Sequence, residues 1–107
     1  MAEIKKNDDG TCELTDSFRY SNGVRIFSVC GCKKCNKFEI EVSITPPLKG
    51  KQAYVPKIIY LDVKIENGDI KINEELSSSD YPKDVITDIK KTIKDFCLGY
   101  EKLSFSE

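Results

Sequence analysis

Lys37-Phe38-Glu39-Ile40-Glu41-Val42-Ser43-Ile44 alternates polar and apolar side chains without a break. A strict period of two marks a half-buried β-strand with one face on a core and one in water. Phe38, Ile40, Val42 and Ile44 belong inside; Lys37, Glu39, Glu41 and Ser43 belong outside. Sheets that leave one face wet are antiparallel, and the rest of the chain reads outward from this strand.

Upstream, β-forming residues flank Asn22-Gly23, the strongest short-range signal for a two-residue type I′ hairpin. Strands are expected over 13–21 and 24–31. This turn sets Ser21 opposite Val24, Tyr20 opposite Arg25, and Phe18 opposite Phe27. Phe18, Tyr20, Arg25, Phe27 and Val29 share one face, while Val24, Ile26, Ser28 and Cys30 share the other. Both faces carry apolar groups, so the hairpin alone does not identify the core side. Extended without a bulge, the register brings Cys12 opposite Lys33.

That register gives the cysteines their interest. Cys30, Cys32 and Cys35 form a C-x-C-x-x-C cluster between two strands, and Cys12 arrives beside it. Zinc takes four thiolates at about 2.3 Å, and tight turns with short spacings supply them. A structural zinc site of Cys12, Cys30, Cys32 and Cys35 is the leading expectation, although zinc ribbons usually show two C-x-x-C knuckles. Reduced thiols and a disulfide are the alternatives. Iron–sulfur ligation matches the ligand count but not the usual ferredoxin spacings. Cys97 lies on a helical apolar stripe and reads as a small core residue.

Downstream, 45–56 is a proline-bearing loop, long for so small a domain. Loops of this length are often functional; the bland alternative is a crossing between sheet edges. Asn67-Gly68 then joins strands over 57–66 and 69–75, with Ile65 opposite Ile70 and Val63 opposite Ile72. A helix follows: Ser79 or Asp80 caps it, Pro82 and Asp84 suit its first turn, and Gly99 stops it. Val85, Ile86, Ile89, Ile93, Phe96 and Cys97 form its apolar stripe. Lys90, Lys91 and Lys94 occupy its later half, where cations suit the dipole. A short edge strand is expected over 100–105. The fold class is therefore α+β: an antiparallel meander of about five strands, with two Asn-Gly hairpins, packed on one C-terminal amphipathic helix. Residues 1–10 read as a disordered segment and 11–105 as a single domain.

Composition narrows the function. The 107 residues carry 17 basic and 18 acidic side chains, a net charge of −1, unlike a strongly basic nucleic-acid binder. No apolar run approaches the roughly 20 residues that span a bilayer. The polar N-terminus lacks a secretory core, which points to a cytoplasmic protein with reduced thiols. There is no histidine, no glycine-rich phosphate loop and no carboxylate pair, so an enzyme lacks its ordinary parts. The expected function is a small non-enzymatic protein-binding module. Regulators and inhibitors carried by phages or mobile elements belong to this class, and 15 lysines with 12 isoleucines suggest an AT-rich coding sequence. The alternatives are a zinc-knuckle nucleic-acid binder and a thiol-based metal or redox sensor. Candidate partner-binding residues are Lys33 and Lys34 at the cysteine turn, and Leu48, Gln52 and Tyr54 in the long loop. If Lys33, Lys34 and Lys37 met Lys49, Lys51 and Lys57, they would form a basic edge, with Tyr54 and Tyr60 nearby, for a nucleic-acid backbone.

Overall fold

The computed structural model describes residues 3–50, 53–73, 76 and 80–105. In chain order the strands are β1 (Lys5–Lys6), β2 (Cys12–Tyr20), β3 (Gly23–Lys34), β4 (Lys37–Ile44), β5 (Lys57–Glu66) and β6 (Asp69–Ile72). Each pairs antiparallel with the next, giving a single meander in the order β1-β2-β3-β4-β5-β6. Helix α1 (Lys83–Phe105) packs on one face. The α+β class expected from alternation and helical spacing is the fold observed. None of the described helices is long and apolar enough to cross a membrane.

The β4 alternation is realised residue by residue: Phe38, Ile40, Val42 and Ile44 are buried, and the residues between them are half-exposed. Cross-strand partners carry the same face onto Leu14, Phe27, Val29, Leu61 and Val63. The helix closes this layer with Val85, Ile89, Ile93, Phe96 and Cys97, all buried. Phe96 and Tyr100 meet Phe38 edge-on, with ring centroids 6.3 and 5.4 Å away. Aromatic pairs favour that geometry over flat stacking.

The second hairpin follows its sequence signal. Asn67 and Gly68 both have positive φ, 54° and 79°, as a type I′ turn requires. Ile65 pairs with Ile70 and Val63 with Ile72.

The first hairpin does not. Tyr20 pairs with Gly23 across a Ser21-Asn22 turn, so Phe18 faces Arg25 and Cys12 faces Gly31. The pairing is shifted by two residues from the expected one, and each side chain keeps its face. Gly23 is needed elsewhere: its φ is 136°, and a Cβ there would lie 2.7 Å from the Leu48 carbonyl oxygen. Leu48 bridges Val24 through two backbone hydrogen bonds, 2.8 and 3.0 Å. The glycine thus serves a backbone approach instead of the turn.

Other boundaries also differ. Of the segment expected to be disordered, residues 3–10 are described and hold β1, which pairs with Cys12 and Glu13. The Asn7 amide donates to Thr11 O and closes the turn between β1 and β2. The helix continues through Gly99 to Phe105, where an edge strand was expected. Gly99 is a seat for Ile4, since an added Cβ would stand 3.1 Å from Ile4 Cγ2. The capping candidate Ser79 lies outside the described residues, as do residues 74 and 75 of the strand expected over 69–75. The first turn begins with the Ile86 amide donating to Pro82 O.

Candidate functional site

The helix leaves the opposite face of the sheet open. Cys30, Cys32 and Lys34 point there from β3, and Glu39 and Glu41 from β4, with Ile58, Tyr60 and Asp62 on β5. In register these make rows: Cys30–Glu41–Tyr60 and Cys32–Glu39–Asp62. Lys34 pairs with Glu39 at 3.3 Å and Lys37 with Asp62 at 3.2 Å. The hydrogen bond to Glu39, then its charge, raises the Lys34 pKa.

The four cysteines of the expected zinc site are split by this geometry. Cys12 is buried on the helix side, directly opposite Gly31. Cys30 and Cys32, on either side of Gly31, project from the other face. Cys35 is exposed in the β3–β4 turn with φ 60°, a left-handed conformation uncommon outside glycine and asparagine. Among the described residues no three cysteine or acidic side chains gather as metal ligands. Four thiolates sharing one tetrahedral ion would have to converge on one side, and in this register Cys12 lies across the sheet from Cys30 and Cys32. Burial pushes the Cys12 and Cys30 thiols up, with the Thr11 hydroxyl opposing at Cys30. Protonated thiols are weak nucleophiles and weak ligands.

The partner-binding candidates separate as well. Lys33 turns to the helix side, where its Nζ pairs with Glu101 and lies 5.5 Å from the Phe38 ring centroid. It fastens the end of α1 to the sheet. Lys34 stays exposed on the open face. Leu48 is half-buried by its bridge to Val24, whereas Tyr54 is 47% exposed. Gln52 and Lys51 lie outside the described residues. The cysteine turn and the long loop sit at opposite ends of β4, a strand of 8 residues, so the lysines of the two regions do not form one basic edge.

The loop does not cross between sheet edges either, because β4 and β5 are neighbours. Its first half is stitched to β3. Thr45 Oγ1 accepts from the Ile26 amide at 2.8 Å, and Arg25 donates to Thr45 O at 2.9 Å. Its second half presents apolar groups to water. Tyr54 (47% exposed) and Val55 (87%) lead into β5, where Ile58 (46%) and Tyr60 (72%) occupy open-face positions. Ile58 and Tyr60 were accessible to the same alternation that buried Leu61 and Val63. Tyr60 was legible as an aromatic beside the candidate basic edge, whereas Ile58 was missed because an apolar residue on a wet face does not break a β-pattern.

Comparison with protein-family models, curated proteins and solved structures returned no match.

Proposed function

We propose that this chain is a small non-enzymatic protein-binding module whose contact surface centres on Tyr54, Val55, Ile58 and Tyr60. One observation carries the reading: four large apolar side chains, each at least 46% exposed, fall within a seven-residue stretch of the loop and β5. Grouped exposed apolar groups mark interaction sites, whereas scattered ones do not. Tyrosine suits such a role because it offers rigid amphipathic area at low entropic cost. Glu41 beside Tyr60, with Asp62 next along β5, supplies the polar rim that interfaces normally carry. The absence of histidine and the raised thiol pKa values of Cys12 and Cys30 favour binding over catalysis. A regulator or inhibitor that acts by occupying a partner's surface fits this description.

The test is capture from the native host with wild type, Tyr54→Ala and Tyr60→Ala as baits. A partner held by wild type should bind each variant at least ~1 kcal/mol more weakly, with melting temperatures nearly unchanged. Lys34→Glu, on the same face but at the other end, should retain it. Full binding by both tyrosine variants would reject the surface.

A further inference from the structure

A second concavity lies on the helix side, between α1 and the edge strand β6. Ile70 and Ile72 form its floor, and Lys90, Lys91 and Lys94 stand along the helix above them, enclosing about 510 Å³. The floor is only partly covered, because α1 lies mainly over β2 and β3 at the far side of the sheet.

The three lysines need an explanation. A macrodipole favours cations within the last turn of a helix, but α1 runs on to Phe105, well beyond Lys94. Their position is mid-helix, so the dipole does not account for them. One carboxylate enters the groove, Asp69, 3.7 Å from Lys94 Nζ. Lys91 turns its ammonium toward β2, 5.9 Å from the Phe18 ring centroid, and flanks a hollow with Asp16 and Asp95, while among the described residues no carboxylate pairs with Lys90. On a chain of net charge −1 this is a local cationic excess beside a half-open apolar strip.

We propose that this groove binds an acidic segment of a partner polypeptide. Its carboxylates would meet Lys90 and Lys94, and its interleaved apolar side chains would cover Ile70 and Ile72. Charge complementarity selects an anion, and the isoleucine floor selects one that carries apolar groups. A nucleic-acid strand would use the cations but not the floor, and none of the described lining residues is aromatic to stack a base.

The probe is a fluorescent peptide of alternating glutamate and leucine, about 15 residues long, titrated against the full chain by anisotropy. An all-glutamate peptide, a single-stranded oligonucleotide and phosphatidylserine vesicles serve as comparators. The expected result is saturable binding of the mixed peptide that weakens with salt. Binding should fall at least tenfold in Lys90→Glu/Lys94→Glu and more mildly in the charge-neutral Lys90→Gln/Lys94→Gln. Ile72→Ala should weaken the mixed peptide but not the all-glutamate one, and Tyr60→Ala should leave both unchanged, separating this groove from the open face. Melting curves establish that each variant is folded. The proposal is overturned by equal affinity for the two peptides, by tighter binding of oligonucleotide or vesicle, or by lysine variants that bind as wild type.

Discussion

Glycine 31 shows how much one residue decides in this sheet. A Cβ built there would sit 2.2 Å from Glu39 O and 2.8 Å from Ile40 Cα, so the clash is with backbone that has no rotamer to change. Gly31→Ala should cost about 3 kcal/mol in a denaturant melt, the upper range for overpacking. Gly10→Ala, where a Cβ meets open space but φ is +90°, should cost less; equal losses would mean that β3 and β4 separate easily. The buried thiol of Cys97 sets a second expectation. Burial, then the nearby Glu101 charge, pushes its pKa from an ordinary 9.0 to about 12. The folded chain therefore holds this proton after the unfolded chain has lost it. Its contribution to stability is complete below about pH 9 and is lost as pH rises toward 12, at about 1.4 kcal/mol per pH unit. The Tyr20 phenol, half-buried and donating to Asp88 at 2.6 Å, is also raised from an ordinary 10.0 and adds to the alkaline decline above that pH. Stability measured between pH 8 and 11 should fall less steeply in Cys97→Ala, whatever that variant loses in absolute terms. An unchanged slope would place the proton elsewhere. At this scale the sequence was read well where a residue had a single task, as with Asn67-Gly68. It was misread at Asn22-Gly23, because the demand on Gly23 comes from Leu48, which is remote in sequence.

Elements were more legible than their ends. The period of two in β4 and β5 and the stripe from Val85 to Cys97 are long enough to outweigh local exceptions, and every core position of that stripe is buried. A register shift of two residues preserved every face because side chains alternate with the same period. The ends depend on tertiary partners. β1 exists because Lys5 and Lys6 pair with β2, and the helix passes Gly99 because Ile4 packs there. Neither contact has a local sequence signature. The phase of the helix is directly testable. Ile89 is fully buried, so Ile89→Ala should cost roughly 2–5 kcal/mol. Lys90, its exposed neighbour, should cost little when changed to alanine. Similar losses for the two would mean the helix is rotated on the sheet.

At the scale of the whole molecule, topology determines which residues act together. The sheet carries the cysteine turn at one end of β4 and the proline loop at the other, and each strand sends successive side chains to opposite faces. Sequence proximity could therefore group Cys30, Cys32 and Cys35, but only the register shows that Cys12 belongs to the core layer with Leu14 and Phe27. The continuous core that includes Leu14 and Phe96 lies on the helix side, across the sheet from the thiols of Cys30 and Cys32. Two consequences follow for the purified protein. A chelator should leave the melting temperature unchanged, because Cys12 lies across the sheet from Cys30 and Cys32 and cannot share an ion with them in this register. Thiol titration of the folded chain should then rank by exposure: Cys35 first, Cys30 and Cys32 more slowly, and Cys12 and Cys97 only on unfolding. One equivalent of zinc, lost together with stability when Cys12→Ser is introduced, would require Cys12 to leave the helix side. That result would overturn the observed β2–β3 pairing, since a one-residue shift or a bulge is needed to bring Cys12 onto the face of Cys30 and Cys32.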